Sequence, residues 1–149
     1  PILGKTEEKK DLALIMLMHR VPYVATASVG YPTDFAEKLS RAASVRGFRL
    51  IHLLSPCPPG WKFNADKTVY MGKLAVETGA WILWEYSEGK FRLSPISRPY
   101  ADPRRRKPLE EYLKLQGRFS HLKPEDVEFI RRKIENNWRF VLELEKFYS

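Results

Sequence analysis

Hydrophobic positions along this chain change period from segment to segment, and the changes predict its elements. Residues 11–20 are rich in Leu, Met and Ala and begin at Asp11, whose carboxylate can accept the free amides of a helix start, so a buried helix is expected there. Residues 21–29, rich in Val, Ala, Thr and Tyr, read as a strand. Between 33 and 46 the positions Phe35, Leu39 and Ala42 share one helical face and Gly47 follows, which predicts an amphipathic helix with a glycine just past its end. Residues 49–54 form the next expected strand. A strand, a helix and a strand in such close succession make a βαβ unit, whose strands lie parallel with a right-handed crossover.

Further along, residues 66–78 predict a helix stopped by Gly79, with Tyr70, Leu74 and Thr78 as its inward stripe. Residues 81–86 and 90–94 flank Ser87-Glu88-Gly89, the pattern of a hairpin with glycine at the turn. Residues 109–116 predict a short helix. Residues 123–147 predict a long one, with Pro124 in its first turn and an apolar stripe of Val127, Ile130, Ile134, Trp138 and Val141. The class is α/β: a partial parallel sheet followed by a C-terminal hairpin, an extended basic arm and two C-terminal helices. The chain divides accordingly into residues 1–94, 95–108 and 109–149.

Composition adds a core and a compartment. Of the 149 residues 44% are apolar and 13% aromatic, enough for a globular domain. The single cysteine excludes an internal disulfide, no apolar run approaches a membrane span, and residues 1–11 are too polar for a signal peptide, so the cytoplasm is expected. The net charge of +8, from 26 Lys and Arg against 18 Asp and Glu, is unevenly placed. Arg98, Arg104, Arg105, Arg106 and Lys107 fall among Pro95, Pro99, Pro103 and Pro108, which reads as an extended arm lying on nucleic acid, on an acidic partner subunit or in solvent. No nucleic-acid motif or interleaved aromatic series accompanies it, which disfavours nucleic acid.

The candidate chemistry centres on Cys57. It opens a turn at the end of an apolar strand, in Ser55-Pro56-Cys57-Pro58-Pro59-Gly60-Trp61. In open α/β sheets the carboxyl end of a strand is where ligands collect, and the flanking prolines remove donors and fix φ. A placed ligand or nucleophile fits this setting, and a small packing hydrophobe fits it too. The chain has no glycine-rich phosphate loop, and His19, His52 and His121 share no metal-ligand spacing. A Cys–His nucleophilic pair requires His52 or His121 to fold close to Cys57.

Four blocks then carry a resemblance: Lys9-Lys10-Asp11-Leu12-Ala13, Tyr23-Val24-Ala25-Thr26-Ala27-Ser28-Val29-Gly30-Tyr31, the Ser55 to Trp61 run, and Glu110-Glu111-Tyr112-Leu113-Lys114-Leu115-Gln116-Gly117-Arg118-Phe119. In this order they resemble the C-terminal part of the thiamine-diphosphate-binding β subunit of pyruvate and related 2-oxoacid:ferredoxin oxidoreductases. The resemblance implies that residues 1–94 are the C-terminal half of a thiamine-diphosphate-binding α/β domain. It implies oxidative decarboxylation of a 2-oxoacid, with coenzyme A taking the acyl group and electrons leaving singly through iron–sulfur clusters to ferredoxin. It also implies that Cys57 is the last of four thiolate ligands to the four-iron, four-sulfur cluster nearest the thiamine.

The departures are as plain as the match. The family's other three cluster cysteines, and the segment that holds magnesium and the diphosphate, lie upstream of the matched region and are absent from this chain. One thiolate cannot hold a cluster, so the expected partners are the N-terminal half of the same subunit and the other oxidoreductase subunits, and the isolated chain is expected to be inactive. The stretch from Gly4-Lys5 to Asp11 matches the region just after the diphosphate-binding loop. Two other classes stay open: a basic binding module without catalytic activity, and an independent Cys-dependent enzyme.

Overall fold

The computed structural model describes residues 9–149, so the Gly4-Lys5 part of the N-terminal match lies outside the described residues. Asp11 caps the first helix, α1 (Leu12–Met18), its carboxylate accepting the Leu14 amide at 3.0 Å. Strand β1 (Tyr23–Ser28), helix α2 (Pro32–Ser44) and strand β2 (Arg49–Leu54) follow, and the two strands pair in parallel from Tyr23 on Arg49 to Ser28 on Leu54. The expected βαβ unit is therefore present. A one-turn helix α3 (Pro58–Trp61) and a 3-10 turn lead into α4 (Thr68–Glu77), which closes on Thr78 with Gly79 at φ 77°.

The hairpin of β3 (Trp84–Ser87) and β4 (Lys90–Leu93) turns through Glu88 and Gly89, whose φ values of 53° and 79° are those of a two-residue primed turn. It joins the sheet on the far side of β1, antiparallel to it, giving a mixed sheet of order β2-β1-β3-β4. Two helices, α5 (Leu109–Lys114) and α6 (Pro124–Phe147), complete the chain. β1 is buried along its whole length. Alternation sends Val24 to one face, against Ala13 and Leu17 of α1, Trp84 and Phe91 of the hairpin, and Trp138, Val141 and Leu144 of α6; Tyr23 and Ala25 face Ala42 of α2 on the other.

Four expectations change. α1 is only half-buried: Ala13 and Leu17 face the core while Leu12, Ile15 and Met18 are exposed. α2 turns inward on Asp34, Lys38 and Ala42, leaving Leu39 exposed. The Lys38 ammonium is fully buried between the Asp34 carboxylate at 2.7 Å and the Thr26 carbonyl at 2.8 Å, so a charged face becomes a buried one because each charge has a partner. Desolvation pulls the Lys38 pKa below its ordinary value, against the Asp34 charge. α2 ends at Ser44 with Val45 extended, and Gly47 lies beyond, using φ 102° to pass Pro22. In α4, Tyr70 is exposed whereas Met71, Leu74, Ala75 and Val76 are fully buried.

The Pro/Arg segment contains no strand, as its prolines require, but it is folded rather than free: two 3-10 turns, Arg98–Ala101 and Pro103–Arg105, carry it across the molecule. Arg98 meets Glu145 of α6 at 2.5 Å, Arg106 meets Glu135 of α6 at 2.5 Å, and Lys107 meets Glu77 of α4 at 2.8 Å. Arg106 also lies over the Trp138 ring at 4.7 Å.

Candidate functional site

The carboxyl ends of β1 and β2 open onto one region of the surface. Beyond β1, Ser28 donates to the Gly72 carbonyl at 2.8 Å and accepts from the Gly30 amide at 3.2 Å. Gly30 crosses α4 so closely that a Cβ would fall 2.2 Å from the Lys73 nitrogen, which explains two glycines the sequence pattern leaves without a role. Trp81 spans the same end: its indole donates to the Ala27 carbonyl at 3.0 Å and its ring stands edge-on to His52 at 5.1 Å. Burial lowers the His52 pKa, the Lys9 charge adds to that, and Asp11 opposes it.

Beyond β2, Pro56 is buried and Cys57 is exposed. Cys57 is the residue before α3, in extended conformation (φ −97°, ψ 107°), and its carbonyl accepts the Trp61 amide at 2.8 Å. Within the described residues Cys57 is therefore not a buried packing side chain. The turn holds room beside the sulfur, since a Cβ on Gly60 would come within 3.3 Å of Sγ. Lys62 then takes a left-handed conformation, φ 57°, to leave the helix.

A second block of the sequence grips this turn. The Gly117 amide donates to the Lys62 carbonyl at 3.0 Å, and a side chain at 117 would strike Lys62. The Arg118 guanidinium lies 3.9 Å from the centre of the Trp61 ring and 4.5 Å from that of Phe119. Its Nε donates to Gln116 at 2.9 Å, and the buried Gln116 amide donates in turn to the Tyr112 carbonyl. Desolvation holds the Arg118 guanidinium below its ordinary pKa. The sequence marks Gln116-Gly117-Arg118-Phe119 as a block without assigning it a place; that it clamps the cysteine turn is decided by α5 folding back across the molecule.

The arrangement presents one thiol on a pinned turn. Among the described residues no group of three or more His, Cys, Asp or Glu is placed to hold a metal ion. Cys57, exposed on this turn, fits the part of a single external ligand. His121 is exposed and His52 is taken up by Trp81. Among the described residues no helix is long and apolar enough to cross a membrane.

No protein-family model matches the chain. It is 47% identical over 133 residues to the pyruvate synthase subunit PorB of Methanothermobacter marburgensis, an alignment covering 89% of this chain and 44% of that protein. It is 41% identical over 141 residues to the ketoisovalerate oxidoreductase subunit VorB of Pyrococcus abyssi, covering 95% and 44% respectively. This chain is similar to part of an oxidoreductase subunit of the PorB and VorB kind. A third relative, the β subunit of the NADH-dependent phenylglyoxylate dehydrogenase of Aromatoleum evansii, is 42% identical over 142 residues, covering 93% of this chain and 30% of that protein. The chain thus spans less than half the length of these PorB and VorB relatives.

Proposed function

We propose that the chain is the C-terminal portion of the β subunit of a 2-oxoacid:ferredoxin oxidoreductase, acting in oxidative decarboxylation of a 2-oxoacid, with pyruvate the first candidate, to the acyl-coenzyme A. The three relatives named above carry the names of pyruvate, ketoisovalerate and phenylglyoxylate enzymes, and these share a 2-oxoacid group. Thiamine diphosphate, magnesium and three of the four cluster cysteines belong to the N-terminal half of the same subunit, and ferredoxin accepts the electrons in the cytoplasm.

The observation that carries the reading is the exposed Cys57 thiol on a turn braced by Arg118 and Gly117 at the carboxyl end of a parallel strand. As a thiolate it supplies one ligand to a four-iron, four-sulfur cluster, which when bound provides one-electron transfer. The chain's own part is to hold that sulfur: prolines on either side suppress alternative backbone geometry, Gly60 leaves space next to it, and the Arg118–Trp61 stack keeps α3 from swinging away.

In the complete enzyme, Cys57→Ala removes one thiolate. The expected result is loss of the proximal cluster or its conversion to a three-iron form, visible by electron paramagnetic resonance, with thiamine binding and the remoter clusters retained. An unaltered proximal signal together with normal ferredoxin reduction would falsify the assignment. The basic-module reading has less to stand on, because Arg98, Arg106 and Lys107 are engaged in internal ion pairs.

A further inference from the structure

Gly60 is a glycine without a backbone reason. Among the other described glycines, Gly47, Gly79 and Gly89 take positive φ, where a side chain is strained. At Gly30, Gly72 and Gly117 a Cβ would come as close as 2.2, 2.9 and 2.9 Å to an atom elsewhere in the chain. Gly60 has neither property. Its φ is not positive, it lies inside the one-turn helix α3, where alanine is the more stable residue, and it is exposed, so no other element presses on it. Apart from its chain neighbours and the backbone of its own helix, a Cβ here would meet only Cys57 within 4 Å, at 3.3 Å from Sγ and 3.7 Å from Cβ. The glycine therefore weakens the helix, and its one steric effect is to leave the flank of the Cys57 sulfur uncovered.

What a methyl group at position 60 would do depends on whether the sulfur can move. A free thiol sits at the end of a short side chain and escapes a 3.3 Å contact by turning a few tenths of an ångström about χ1, at little cost. A sulfur bonded to iron has no such freedom, and the strain passes into the iron–sulfur bond. The backbone cannot absorb it either. Pro56 is buried, Pro58 and Pro59 fix φ on the far side, the Cys57 carbonyl holds the Trp61 amide at 2.8 Å, and the Trp61 ring lies under Arg118. We infer that Gly60 is a positioning residue for the cluster ligand: it lets the Cys57 sulfur take the place that bonding to iron requires, and its lack of a side chain is demanded by the ligated state and not by the fold. The inference rests on the reading of Cys57 as a ligand of a four-iron, four-sulfur cluster.

Gly60→Ala in the complete enzyme tests it, read beside Cys57→Ala and the double variant. Gly60→Ala should assemble with native helix content and bind thiamine diphosphate normally. Its reduced proximal cluster should nevertheless give a shifted electron paramagnetic resonance signal, with a three-iron fraction raised several-fold and the remoter clusters unchanged. In the Cys57→Ala background no sulfur is left for the methyl to meet, so adding Gly60→Ala should not lower the melting temperature and should leave the remaining cluster signals as they are. An unaltered proximal signal in Gly60→Ala overturns the proposal. Failure to assemble in both backgrounds overturns it too, because the glycine would then serve the backbone, and so does an equal change of the cluster signals in both. The two levels of the argument separate cleanly. If Cys57→Ala removes the proximal signal while Gly60→Ala leaves it unchanged, this inference alone falls; if Cys57→Ala itself leaves the signal unchanged, the ligand reading falls and takes the inference with it.

Discussion

Arg118 is the residue whose importance exceeds its visibility in the sequence. A guanidinium half-buried between two rings, with one hydrogen bond to Gln116, ties α5 and the following turn to α3. Each ring contact contributes about 0.5–2 kcal/mol depending on desolvation. Arg118→Ala is therefore expected to lower the stability of the complete subunit by about 1–2 kcal/mol in chemical denaturation. It should also speed hydrogen exchange at the Trp61 and Phe63 amides far more than in β1. Equal acceleration in both places would mean that the residue braces the whole fold and not this turn. Lysine should rescue only partly, because it lacks the flat face that stacks on Trp61. Lys38 teaches the complementary lesson: a pattern that treats charges as solvent-facing puts Phe35 and Leu39 inward, whereas the Asp34 and Thr26 oxygens make a buried Lys38 acceptable.

At the scale of elements, β2 stands out. Its sequence, RLIHLL, is that of a strand covered on both faces, yet among the described residues it pairs only with β1 and residues 50–54 are only partly buried. An apolar parallel edge left open invites another strand. If the N-terminal half of the subunit completes the sheet there, the β2 amides that point away from β1 should exchange slowly in the complete subunit. Measuring them by hydrogen exchange checks this directly; free exchange at those positions, with β1 protected, would place the N-terminal half elsewhere. The start of α1, the end of α4, the start of α6 and the hairpin are the most legible elements, whereas Gly47 does not cap α2. Asp11, Pro124, Gly79 and Glu88-Gly89 act through local backbone chemistry that needs no tertiary context. The inward faces of α1, α2 and α4 were less legible, since a face is chosen by what lies across from it.

For the molecule as a whole, the cited shifts predict acid sensitivity in two stages. The folded His52 imidazole titrates below its ordinary 6.5, so the unfolded chain binds that proton first. Its contribution is complete above 6.5 and is lost as pH falls through that value toward the lower folded one. Glu145, held below 4.5 chiefly by its hydrogen bonds to Arg98 and also by the Leu93 amide, adds a second loss only at lower pH. Melting temperature measured across this range should fall in the first stage for the native subunit and fall less for His52→Gln. An identical first-stage decline in the variant would assign it to another group. The basic segment also belongs to this scale. Its charge was read as directed outward, but Arg98 and Arg106 join it to α6, so much of the excess charge organises the chain's own surface.

What the amino-acid order determined by itself was carried by neighbours in the chain: the Asp11 cap, the Gly79 stop, a hairpin turning at glycine, the βαβ order, and a proline-bracketed cysteine at the end of a strand. The four blocks likewise placed the chain beside the oxidoreductase subunits it proves similar to. Tertiary structure alone decided which helix faces turn inward, that the hairpin adds to β1 antiparallel, and that residues 116–119 close over residues 57–62. These depend on pairings between residues far apart in the chain. Their free energies come from surfaces brought together only when the whole folds, and no local period or propensity encodes them.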